Sequence, residues 1–147
     1  MQAEAPVIIV ADDDRDDSLV LIMALLSLKQ ELTIIAVSNG EELIHMLRRV
    51  SPEFIFLDIN MPKKNGFEAL KFIRSNNTLD QSIVIMCSTS SSTSDLRMSQ
   101  ELGADLYITK TPTVKSFNKM IEEIFKRDWT GKKTEAVPGA LALLHVQ

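Results

Sequence analysis

The chain has little of what specialised sites are usually built from. Its one cysteine, Cys87, cannot form an internal disulfide, which suits a reducing compartment. Its two histidines, His45 and His145, stand apart with no cysteine cluster near them, so a zinc site is not expected. The five glycines form neither a G-x-x-x-x-G-K-[ST] loop nor a G-x-G-x-x-G fingerprint, which excludes a P-loop and a dinucleotide site. The longest apolar run, Leu19 to Leu26, is eight residues, far short of the ~20 that span a bilayer. No basic stretch precedes an apolar one at the N-terminus, so export is not expected. Positive charge is in deficit too: a net charge of −4 argues against nucleic acid or anionic lipid as the main ligand. What remains is a 147-residue chain, 45% apolar and 24% charged, which reads as one soluble cytoplasmic domain.

Short apolar runs alternate with segments of helical spacing. Val7-Ile8-Ile9-Val10 has no polar alternation, as in a strand covered on both faces, and similar runs are Thr33–Val37, Phe54–Leu57, Ile83–Cys87 and Leu106–Ile108. Between them, Leu43, Met46, Leu47 and Val50 share a helix face behind Asn39, a candidate cap. Phe67, Leu70 and Ile73 do the same after Gly66, and Val114, Phe117, Ile121, Ile124 and Phe125 form the cleanest stripe. The order is β-α repeated five times, which predicts an α/β fold with one parallel sheet and helices on both faces. In such folds ligands bind beyond the carboxyl ends of the strands.

Those ends carry the chemistry. The first strand runs into Asp12-Asp13-Asp14, the third ends at Asp58, the fourth at Ser88 and the fifth at Lys110. Carboxylates at one edge suit a hard, oxygen-seeking cation such as Mg²⁺, and a lysine with a hydroxyl suits a phosphoryl group. Taken alone, Asp12 to Asp14 reads equally well as an acidic helix start, and Lys110 as a surface lysine. Asp58 closes an apolar run, so its carboxylate must be paired, metal-bound or exposed at the sheet edge.

Four segments together resemble the receiver domain of bacterial two-component response regulators: Val10-Ala11-Asp12-Asp13-Asp14, Phe56-Leu57-Asp58-Ile59-Asn60-Met61-Pro62 through Gly66, Met86-Cys87-Ser88-Thr89, and Gly103-Ala104-Asp105-Leu106-Tyr107-Ile108-Thr109-Lys110. The resemblance covers about residues 6 to 127, with 45 residues from Asp13 to Asp58, 30 from Asp58 to Ser88 and 22 from Ser88 to Lys110. It implies a doubly wound, flavodoxin-like five-stranded parallel sheet in a single domain at 1–128, with 129–147 as a short tail. It further implies that Asp58 takes a phosphoryl group from a histidine kinase or phosphotransfer protein. Asp13 would ligate Mg²⁺ directly, Asp12 mostly through water, Asp58 as a further carboxylate, and Asn60 through its backbone carbonyl. Ser88 and Lys110 would contact the phosphoryl oxygens, and Ser88 with Tyr107 would form the switch. Asp14, Asp16 and Asp17 read as helix-start charges, not ligands.

The chain departs from the family pattern in three places. Ser88 stands where threonine is commoner, the loop after it is unusually rich in serine, and Thr111 separates Lys110 from Pro112. The segment from Leu19 to Leu26 is apolar nearly all round. A core stripe of Leu19, Ile22, Met23 and Leu26 leaves Val20, Leu21, Leu25 and Leu28 surplus. That surplus fits a docking face for the kinase or phosphotransfer partner, or cover by the apolar tail 137–146, or a homodimer. Cys87 reads as a small core hydrophobe and Trp129 as packing at the end of the last helix. No DNA-binding or enzymatic output domain fits in the 20 residues after Arg127. The expected function is therefore a phosphorylation-controlled switch acting through an unidentified downstream protein, not an enzyme. A phosphorylation-independent docking domain is the alternative.

Overall fold

The β-branched runs pair edge to edge and the helical segments cross over them. In the computed structural model, which describes residues 4–89, 92–110 and 114–129, the order is β1 (Val7–Ala11), α1 (Arg15–Leu26), β2 (Thr33–Val37), α2 (Gly40–Leu47) and β3 (Phe54–Asp58). There follow α3 (Gly66–Arg74), a short 3₁₀ turn (Asn77–Leu79), β4 (Ile83–Ser88), α4 (Thr93–Glu101), β5 (Leu106–Thr109) and α5 (Val114–Lys126). The strands form one parallel sheet in the order β2-β1-β3-β4-β5, the flavodoxin-like arrangement that the alternation predicts. The order reverses direction at β1, so the carboxyl ends of β1 and β3 lie side by side at the switch point, where a crevice opens.

Side-chain caps start the helices where the sequence supplies them. Asp14 accepts from the Asp16 and Asp17 amides, Asn39 from Glu42 and Ser92 from Asp95. Asn65 and Glu68 close a reciprocal capping box at the start of α3. Gly66, the first residue of that helix, donates its N–H to the Ile59 carbonyl at 2.8 Å. A Cβ there would run into the Asp58 carbonyl oxygen, so the turn that carries Asp58 can close only on glycine.

The core fills both faces of the sheet. Phe117, Met120, Ile121 and Ile124 of α5 are buried, and Phe125 stacks on Phe54 with ring centroids 4.5 Å apart. Trp129 closes the end of α5: its indole N–H donates to the Ile124 carbonyl at 3.0 Å and its ring meets Phe54 edge-on. Cys87 is buried, and burial pushes its thiol well above the ordinary range, as suits a core hydrophobe. Met86, Cys87 and Ser88 lie in β4 beside β5, with Ser88 opposite Thr109 and Met86 opposite Tyr107.

Two sequence expectations are corrected. β2, one of the two edge strands, is not covered on both faces: Thr33 and Ala36 are exposed and Ile34 and Ile35 half-buried, while β5 at the other edge is largely buried. The core face of α1 is not Leu19, Ile22, Met23 and Leu26. Leu21, Ala24 and Leu25 are buried instead, while Leu19, Met23 and Leu26 are 55%, 52% and 63% exposed and Ile22 is half-buried. A helix apolar on every side carries no periodic signal, so its rotation is set by its neighbours. The departure at Thr111 and Pro112, the Val114 side chain and the tail 137–146 lie outside the described residues. No helix of the described residues is long and apolar enough to cross a membrane.

Candidate functional site

β1, β3, β4 and β5 each deliver one polar residue to the same edge of the sheet. Asp12 follows β1 directly; its amide donates to the Val37 carbonyl at 3.1 Å, and its Oδ1 accepts from the Asp14 amide at 2.9 Å. Asp13 sits between them, exposed. Asp58 is the last residue of β3 and Ser88 the last of β4, both buried. Lys110 follows β5, and its backbone N–H donates to the Ser88 carbonyl at 2.7 Å. That bond fixes Lys110 before the chain reaches Thr111, so the lysine stays at the site despite the departure that follows it.

Carboxylate oxygens of Asp12, Asp13 and Asp58 all lie within 4.8 Å of one another. The Lys110 ammonium closes the group: Nζ is 2.8 Å from Asp12 Oδ2, 2.9 Å from Asp17 Oδ2 and 3.4 Å from Asp58 Oδ1. Burial pushes the Asp58 carboxyl up to about 7, and Asp12 and Asp13 add to the rise, while Lys110 pulls against it. Lys110 is held above the ordinary lysine range, because its hydrogen bonds to Asp12 and Asp17 outweigh the opposing effect of burial. The donor set is all oxygen and all anionic, which fits a hard divalent cation and no soft metal.

Of the residues expected from sequence, Asp12, Asp13, Asp58 and Lys110 come together. Asn60 is exposed two positions beyond Asp58, in the turn that Gly66 closes. Tyr107 is fully buried in β5, one rung of the same face back from Thr109, the register partner of Ser88. Asp14 caps α1 and Asp16 stands in its first turn, as the sequence suggested. Asp17 does more: besides standing in the first turn of α1 it reaches across to Lys110. The signal was present in the spacing, since Asp17 leads Leu21, Ala24 and Leu25 on one helix face and so points where they point.

A doubly wound parallel α/β domain with a carboxylate trio and a lysine at its switch point defines the class: a phosphoacceptor signalling domain with a divalent-metal pocket. Residues 7–122 match the family model described as the response regulator receiver domain. The chain is 30% identical over 125 residues to Response regulator Rcp1 of Synechocystis sp., covering 80% of this chain and 85% of that protein. The structure of the Mn(2+)-bound form of Rcp1 superimposes with a TM-score of 0.74 at 29% identity, covering 81% of this chain and 91% of that one. The phosphorylated cyanobacterial phytochrome response regulator RcpA gives a TM-score of 0.75 at 28% identity, over 82% of this chain and 91% of that one. The transcriptional regulatory protein CpxR of Escherichia coli K12 is 32% identical over 120 residues, 82% of this chain but only 49% of its own length. The chain belongs to the response regulator receiver domain family, and it is a phosphoacceptor switch of two-component signalling.

Proposed function

We propose that Asp58 is the phosphoacceptor and that Asp12, Asp13, Asp58 and the Asn60 carbonyl hold Mg²⁺ beside it. One observation carries this reading: three carboxylates and the Lys110 ammonium meet at one point of the sheet edge. The bound ion would supply positive charge against the phosphoryl oxygens. The protein's own part begins with an Asp58 carboxylate oxygen attacking phosphorus. The new O–P bond forms as the P–N bond of a phosphohistidine breaks, and the leaving imidazole keeps the electron pair and takes up a proton. Lys110 pairs with one phosphoryl oxygen and the Ser88 hydroxyl donates to another, so charge that spreads over the group meets fixed donors.

Ser88 and Tyr107, on adjacent strands, act as the switch, converting the added charge into a change of surface around α4, β5 and α5. The donor is a histidine kinase or phosphotransfer protein and the output is contact with another protein in the cytoplasm. Residues 1–128 do this work. The metal pocket of the Mn(2+)-bound relative and the phosphorylated state of RcpA support the assignment. The test is intact mass after treatment with a small phosphodonor and Mg²⁺. Wild type should gain one phosphoryl group, and Asp58→Asn or removal of the cation with EDTA should abolish the gain. Full labelling of Asp58→Asn would overturn the assignment, and no labelling of wild type would favour a phosphorylation-independent docking domain.

A further inference from the structure

Asp17 stands outside the carboxylate trio, yet it accepts one of the three hydrogen bonds that the Lys110 ammonium can donate. Asp12 takes a second, at 2.8 Å, and Asp58, at 3.4 Å, is the most distant of the three acceptors. The resting lysine therefore sits nearer Asp12 and Asp17 than Asp58, to which it keeps only the longest of its three ion pairs. We propose that Asp17 is a positioning residue that holds Lys110 back from Asp58 in the unphosphorylated protein and must release it when the phosphoryl group arrives. The inference rests on the reading of Asp58 and Lys110 given above.

Three observations support the restraint. Asp17 is not needed as the helix cap, because Asp14 already accepts from the Asp16 and Asp17 amides. Its carboxylate is 40% exposed, so giving up the pair returns it to water at small cost, as a releasable hold requires. A cavity of about 120 Å³ has Asp17, Val20, Lys110 and Phe117 in its lining but not Asp58, so the open space beside the lysine lies on the α1 side, where Asp17 holds it. Asp12, moreover, belongs to the oxygen cluster that suits a cation, which leaves Asp17 as the competitor for the lysine. A second negative charge at the same nitrogen also opposes the arrival of an anionic donor.

The experiment follows phosphorylation by phosphoramidate at saturating Mg²⁺, read by intact mass, in wild type, Asp17→Asn, Asp17→Glu and Asp16→Asn. The donor's P–N bond breaks, the O–P bond to Asp58 forms and the nitrogen leaves as ammonia with its electron pair. Asp17→Asn should react roughly two- to fivefold faster, the range that losing a partly exposed ion pair allows. Asp17→Glu, which keeps the charge, should stay near wild type. Asp16→Asn removes the same charge one residue away without touching Lys110 and should also stay near wild type. Affinity for beryllofluoride, a phosphoryl mimic titrated by calorimetry, should tighten in Asp17→Asn by a similar factor. If Asp17→Asn matches Asp16→Asn, or reacts more slowly than wild type, the restraint is wrong while the Asp58 assignment stands. A wild type that takes no phosphoryl group overturns both.

Discussion

At the scale of single residues the dominant fact is a carboxylate buried among carboxylates. Asp58 has an ordinary value of 3.8 and is pushed up to about 7 in the fold, so between those values the folded chain holds a proton that the unfolded chain releases. Without metal, its contribution to stability is present in full below the unfolded value and is lost as pH rises through the folded one. Urea unfolding in EDTA should therefore show wild type losing ground to Asp58→Asn between pH 5 and pH 8, the variant becoming more stable by on the order of 2 kcal/mol at the upper end. A gap between the two proteins that stays constant with pH would contradict this account. The same crowding suits the site to a cation, which gives the excess negative charge a partner.

At the scale of elements, the far end of the sheet shows a part-buried ion pair that ties elements together. Arg74, the last residue of α3, donates to the Gly103 carbonyl at 2.8 Å, to the Ser82 carbonyl at 3.2 Å and to Asp105 Oδ2 at 2.8 Å. Asp105 also accepts from the Val84 amide at 2.8 Å, so one guanidinium pins α3 to the starts of β4 and β5. Arg74→Ala removes the cation facing a buried carboxylate and should cost about 3 kcal/mol in urea unfolding. Phosphorylation of Asp58 by a small donor should persist in that variant, because the pair lies at the opposite ends of the strands from the site. Loss of labelling in a folded Arg74→Ala protein would show that the two ends are coupled. α1 makes the complementary point: the Asp14 cap fixes where the helix starts, and packing against α5 and the sheet, not a periodic hydrophobic pattern, sets which side faces inward.

At the scale of the whole molecule, the metal pocket is a source of stability as well as chemistry. Crowded anions oppose the folded state until a cation joins them, and a ligand bound only to that state adds roughly 2.7 kcal/mol at about a hundredfold excess over Kd. Mg²⁺ should raise the urea midpoint of wild type. Asp13→Asn should be more stable than wild type in EDTA and respond weakly to Mg²⁺, since it removes one anion of the trio and, on the proposed reading, one ligand. If Asp13 were only a helix-start acid, the variant would instead be slightly less stable and respond to Mg²⁺ in full.

The order of elements, the cap at Asn39, and the placement of Asp12, Asp58, Ser88 and Lys110 at strand ends were all legible in the sequence. Each is a local property: a strand's period, a cap's side chain and the residue after an apolar run need no knowledge of distant neighbours. The family motifs added roles for those positions. Tertiary structure decided the rest, because each remaining feature depends on what lies across a gap. Of the two edge strands β2 is partly exposed and β5 largely buried, a difference that only the neighbouring elements decide, and the inward turn of Leu21 and Leu25 follows from packing against the sheet and α5. The partner of Asp17 is 93 residues away, and the raised Asp58 carboxyl owes its value to burial by elements from the whole chain. Sequence sets which groups arrive at the edge; the distances between them, and so their charges, exist only once the sheet has closed.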